Sequence, residues 1–180
     1  MILALASGSP QRKAILEQLG VEFRVEVPDV EELVTGDPRE LVRENALRKA
    51  RAVPGDCVLG ADTAVVAGGR VLGKPADRGE AGAFLEALTG STHEVMTGIA
   101  VVEAGLERSD VAVTRVRFRA VEPAEIEWYL DTGEWRDRAG AYAIQGKGAA
   151  LVESIEGDYF NVVGLPVPAL LRLMPNLLRG

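Results

Sequence analysis

The chain reads as an α/β protein, and three features of its sequence say so. A short apolar strand, Ile2 to Ala6, leads through the small-residue turn Ser7-Gly8-Ser9 straight into a helical segment. Further strand-length apolar runs then alternate with helix-length amphipathic ones. Finally, Gly68-Gly69 separates two apolar stretches, Ala64 to Ala67 and Arg70 to Leu72. That is a two-residue hairpin signal, because both central positions of such a turn want positive φ.

The elements follow in order. Ser9 is placed as the N-cap of a first helix with Pro10 at its first position; the helix runs to Leu19 on an Ala14, Ile15, Leu16, Leu19 face, and Gly20 ends it. Val21 to Val27 alternates as a strand. An acidic loop with Asp29, Glu31 and Glu32 leads to a helix from Arg39 to Val53, with Leu41, Val42, Ala46, Ala50 and Val53 inward and Pro54-Gly55 as its stop. Lys49 lies one turn after Asn45, so the two share a face.

After the hairpin, Asp77 as N-cap and Glu80 as its N3 partner start a helix from Arg78 to Leu88. His93 to Val102 and Asp110 to Val121 are strands. The second carries Arg115, Arg117 and Arg119 on one face, which reads as the solvated side of an antiparallel strand. A short helix starts at Pro123, with Trp128, Tyr129 and Leu130 as its apolar contacts. A Gly-rich charged stretch, Arg136 to Gly148, carries Gln145. Leu151 to Ile155 is a strand, Gly157 to Pro166 a loop, and Pro166 to Leu178 a closing helix.

Composition bounds the function. The 180 residues suit a single domain, 1–180, or two small lobes sharing a sheet. No apolar run approaches the roughly 20 residues that span a bilayer, and the opening residues lack the basic n-region of a signal peptide. A cytoplasmic protein is expected. The net charge of −7 argues against a nucleic-acid surface, which needs a basic stripe, but leaves room for a small phosphorylated ligand in one cleft. One cysteine, Cys57, excludes an internal disulfide and reads as a small core residue. One histidine, His93, excludes a multi-histidine metal site, so any metal falls to carboxylates, which points to Mg²⁺ or Mn²⁺.

Two stretches carry chemistry. In the first, Val58-Leu59-Gly60-Ala61 is an apolar strand interrupted by Asp62-Thr63, and the hairpin beyond it returns Gly73-Lys74-Pro75. A carboxylate inside an apolar run is costly to bury unless it is paired or binds a cation. Asp62 is therefore either a turn cap, with Lys74 on the surface, or a functional carboxylate with Lys74 near it. The second is the strand, Ser-Gly-Ser loop and helix N-terminus, an anion-binding geometry of free backbone N–H groups. Arg12 and Lys13 oppose the helix dipole there, a conflict that a docked phosphate relieves; an ordinary capped helix is the other reading.

Together these motifs resemble the Maf family of nucleotide pyrophosphatases. The resemblance rests on Ser7 to Arg12, Gly60-Ala61-Asp62-Thr63, Leu72-Gly73-Lys74-Pro75 and Leu88-Thr89-Gly90 with His93 and Thr97-Gly98. It continues through Ala139 to Gly146 and Asn161 to Pro166, and so covers nearly the whole chain. It implies an elongated, twisted mixed sheet flanked by helices, two lobes around a central cleft, and a homodimer. It also implies hydrolysis of a nucleoside triphosphate to the monophosphate and pyrophosphate with a divalent metal. Asp62 matches the family's catalytic acidic residue, as general base or metal ligand. Gln11, Thr63 and Gln145 match positions tied to substrate choice, and Ala-Tyr-Ala-Ile-Gln-Gly is similar to the branch acting on dTTP and UTP. The family usually has Arg-Arg after Ser-Pro, and Gln11-Arg12 departs from it at a selectivity position. On this footing Glu32 is the candidate second carboxylate for the metal. Lys49, Lys74, Arg12 and the Ser7 to Ser9 loop are the candidate phosphate holders. An inosine-triphosphatase-type enzyme and a division-regulating nucleotide sensor are the alternatives.

Overall fold

In a computed structural model, which describes residues 2–179, seven strands form one mixed sheet flanked by helices. The strands are β1 (Leu3–Ala6), β2 (Phe23–Val25), β3 (Cys57–Ala67), β4 (Arg70–Leu72), β5 (Thr92–Glu103), β6 (Leu106–Phe118) and β7 (Val152–Glu156). Their order is β2-β1-β3-β5-β6-β7, with β4 paired to β3. The helices are α1 (Pro10–Gln18), α2 (Pro38–Ala52), α3 (Arg78–Leu88), α4 (Pro123–Asp131), α5 (Tyr159–Val163) and α6 (Val167–Leu173).

The chain gathers into two compact units. One takes Met1–Thr63, Met96–Ala112 and Phe160–Gly180; the other takes Ala64–Val95 and Val113–Tyr159.

In the first unit β1 lies between β2 and β3, parallel to both. One core joins Leu3, Leu5, Leu16, Leu59, Ile99, Leu165 and Leu170, with α1 and α6 packed on the strands. Another joins Ala4, Ala6, Val58 and Ala100 to Ala46 and Ala50 of α2. Here α2 sits unusually close. A Cβ at Gly60 of β3 would stand 2.1 Å from the Ala46 carbonyl oxygen, and one at Gly98 of β5 would stand 2.2 Å from that of Val42. Only glycine at both sites lets the helix backbone reach the strands. Val42, Ala46 and Ala50, spaced by four, make the contacting face.

In the second unit α3 packs on α4, and Leu85, Leu88, Ile126, Tyr129 and Leu130 are buried. A ring cluster of His93, Phe118 and Tyr142 fills its interior, edge to face at 4.8–5.5 Å. His93 Nε2 meets the Tyr142 hydroxyl at 2.8 Å. Burial without a counter-charge pushes the His93 imidazole down to about 4.

Several boundaries differ from those read in the sequence. Asp62-Thr63 do not break the strand, because β3 runs through them to Ala67. The hairpin is as read, with Gly68 and Gly69 at φ 55° and 77°. The strand expected over 21–27 shortens to β2. The loop expected over 157–166 contains α5, and the last helix stops at Leu173. Trp128 is exposed rather than packed; Ile126, Tyr129 and Leu130 make α4's buried face. Arg115 and Arg117 pair with Glu156 and Glu153 of antiparallel β7 on a solvated face.

Two outcomes follow from this packing. Gly60→Ala forces helix and strand apart and lowers stability by about 3 kcal/mol, read as a fall in the urea midpoint. The unfolded chain binds a proton at His93 near its ordinary 6.5, the folded one only near 4. The stability tied to a neutral His93 is therefore complete above pH 6.5 and lost as the pH falls toward 4, by about 1.4 kcal/mol per pH unit. Urea unfolding of a His93→Gln variant should show a shallower slope over that window.

Candidate active site

The site of the first unit lies beyond the carboxyl end of β1, beside the middle of its parallel neighbour β3, which runs on to Ala67. The register pairs Ala6 with Gly60, so Ser7 leaves β1 level with Ala61, one residue before Asp62.

Asp62 is buried and held from α2. Lys49 Nζ donates to its Oδ1 at 2.8 Å, and Asn45 Nδ2 donates to its Oδ2 at 3.0 Å. Lys49 also reaches Glu32 Oε1 at 2.8 Å, so one ammonium is shared by two carboxylates. The arrangement opens outward: the Asp62 side chain is 12% exposed and that of Glu32 is 46%. The acidic loop that brings Glu32 has no regular structure and is tied to α2 through its backbone. Leu33 N–H donates to Asn45 Oδ1 at 2.7 Å, and Arg48 donates to the Glu31 carbonyl at 3.2 Å.

Beside this pair stands a clamp built around Arg12. Ser9 caps α1, accepting weakly from the Arg12 N–H, and Ser9 Oγ donates to Gln11 Oε1. The Arg12 side chain turns inward, donating to Ser7 Oγ at 2.9 Å, Thr63 Oγ1 at 3.1 Å and the Gly164 carbonyl at 2.8 Å. Thr63 meets the Thr97 hydroxyl, which donates to the Asn161 carbonyl. Burial lowers the Arg12 pKa from its ordinary value, opposed by the charges of Asp62 and Glu32. A guanidinium held this way shapes the loop more than it meets bulk solvent. The clamp's reach to Thr97 and the Gly164 carbonyl was not legible in the sequence, since cross-strand hydroxyl pairs leave no periodic signal. Lys13 points out and pairs with Glu17.

Lys74 and Gln145 belong to the second unit and both are exposed. Their segments are joined there: Gly140 N–H donates to the Gly73 carbonyl at 3.1 Å. Tyr129 and Glu134 accept from the Ala143 and Lys147 N–H groups and fix the turn that carries Gln145. Cys57 is buried, and burial raises its thiol pKa, in keeping with a core role.

Among the described residues no three His, Cys, Asp or Glu side chains cluster as a complete metal site. The donor set nevertheless fits a hard divalent cation. Mg²⁺ typically takes one or two carboxylates and completes its shell with substrate phosphates and water. Asp62 and Glu32 converge as such a pair. Two cations, Arg12 and Lys49, stand here with two carboxylates, Asp62 and Glu32.

A family model described as Maf-like protein matches residues 2–177. The chain is 51% identical to a dTTP/UTP pyrophosphatase of Symbiobacterium thermophilum, over 96% of this chain and 92% of that protein. It is 51% identical to one of Anaeromyxobacter dehalogenans, covering 94% and 92%. For one of Deinococcus radiodurans the identity is 47%, covering 94% and 90%.

Removing the shared ammonium tests the pairing. Lys49→Met leaves two carboxylates facing one another and lowers stability by about 3 kcal/mol. In urea titrations, adding Asp62→Asn should give back part of that loss, so the double variant falls short of the sum of the singles.

Proposed function

The chain belongs to the Maf-like protein family, and on that premise we infer that it is a nucleoside triphosphate pyrophosphatase cleaving dTTP and UTP to the monophosphate and pyrophosphate. The observation that carries this reading is the ammonium of Lys49 shared by Asp62 and Glu32 beside the Ser7 to Ser9 loop. The substrates are those in the names of the three relatives.

Water attacks the α-phosphorus, the bond to the bridging oxygen breaks, and pyrophosphate leaves. Asp62 orients that water and accepts its proton, while Lys49 holds the carboxylate in place and offsets charge on the phosphates. Asp62 and Glu32 would hold a divalent metal, Mg²⁺ or Mn²⁺; when bound, it supplies the positive charge that a triphosphate requires. Arg12 and the amides of the Ser7 to Ser9 loop at the start of α1 hold phosphate oxygens, and the hydrogen bond from Arg12 to Ser7 keeps that loop in shape. Thr63, Gln11, Gln145 and Lys74 are assigned to the substrate, the first three to the choice of base. A house-cleaning role, a cytoplasmic location and a homodimer complete the proposal. Among the described residues no helix is long and apolar enough to cross a membrane.

The deciding assay offers dTTP, UTP, 7-methyl-GTP and ITP with Mg²⁺ and identifies the phosphate released. Pyrophosphate from dTTP and UTP is expected; orthophosphate would mean a different scissile bond, and binding without release would favour a sensor. In the same assay Asp62→Asn should lower kcat about 10³-fold with the fold intact, and near-normal turnover would remove Asp62 from the mechanism.

A further inference from the structure

Asn45 is almost wholly buried, at 1% exposure, in the middle of α2. A buried amide, in a helix whose other buried residues are Leu41, Val42, Ala46, Lys49 and Ala50, is expensive unless its donors and acceptor are used. All are used. Nδ2 donates to Asp62 Oδ2 at 3.0 Å and to the Leu33 carbonyl at 2.9 Å, while Oδ1 accepts from Leu33 N–H at 2.7 Å. The amide thus meets Leu33 as a peptide group of a neighbouring strand would, and meets Asp62 with the hydrogen that remains.

Two consequences follow from that geometry. Asp62 has each carboxylate oxygen engaged from a different residue of one helix, Lys49 on Oδ1 and Asn45 on Oδ2, so its plane cannot turn. Glu32 is flanked by two backbone anchors to the same helix, Glu31 on Arg48 and Leu33 on Asn45, and its side chain is delivered to Lys49. We propose that Asn45 is a positioning residue for the reaction: one amide sets the orientation of Asp62 and the place of Glu32 together, presenting the two carboxylates as a preformed pair. This rests on the pyrophosphatase reading. It differs from a stability role because the same group reaches both carboxylate-bearing segments.

Two variants separate the two contacts. Asn45→Leu removes all three hydrogen bonds at similar volume. Asn45→Asp keeps an acceptor for Leu33 N–H but loses the donor to Asp62. Both should lower kcat for UTP by about 10- to 100-fold while KM stays within about threefold. Hydrogen exchange at the Leu33 amide should speed up at least about tenfold in Asn45→Leu and stay near wild type in Asn45→Asp. Mn²⁺ affinity, read by electron paramagnetic resonance with the unhydrolysable uridine α,β-imidotriphosphate, should fall in Asn45→Leu by about 10-fold or more. Unchanged kcat in both variants with unchanged Mn²⁺ affinity in Asn45→Leu would overturn the proposal. So would losses no larger than the unfolded fraction measured by circular dichroism. If the wild-type protein releases no pyrophosphate, the functional reading fails, whereas the exchange and Mn²⁺ measurements still decide whether Asn45 holds the pair.

Discussion

The close approach of α2 to the sheet is the constraint on which the rest of the molecule depends. Gly60 and Gly98 leave no side chain between the helix backbone and two strands, and Ala46 and Ala50 are small enough to complete the contact. Helix depth then decides where its neighbouring stripe of side chains can reach. At this depth Asn45 and Lys49, one turn apart, both arrive at Asp62. A helix one methyl group further out would leave both groups short of hydrogen-bonding distance, and a buried carboxylate without partners.

From that contact the site assembles in layers. Asp62 is placed by β3, Lys49 and Asn45 by α2, and Glu32 by a loop that borrows its order from α2. The Arg12 clamp supports the other side, linking the first loop to β3 and to the turn after α5. Three segments far apart in the chain are therefore held by charged or polar groups whose partners are themselves fixed. Such preorganisation lets a hydrolase act on a highly charged substrate without rearranging its own groups during the reaction.

Much of this was legible in the residues themselves. Asp62 stood out because an acid within an apolar strand demands a partner, and Lys49 and Asn45 shared a helical face by spacing alone. The Gly68-Gly69 hairpin followed from turn chemistry. The inward turn of Arg12 was not legible. In the sequence it sits in a first helical turn beside the Ser7 to Ser9 loop; besides Ser7, its side chain reaches Thr63 and Gly164, which are distant in the chain. The hydroxyl link from Thr63 to Thr97 was hidden for the same reason.

What the sequence by itself determined was the set of elements and the chemical types at the site: period-2 and period-3.6 patterns, caps, turns, and one acid where apolar residues belong. These are local properties, set by backbone geometry and the cost of burying charge. What only the tertiary structure decided was partnership. Lys49 is an ammonium bonded to Asp62, and Glu32, brought by the acidic loop, shares it. Such pairings depend on how deeply one helix sinks against two strands, a distance set by missing Cβ atoms that no spacing along the chain encodes.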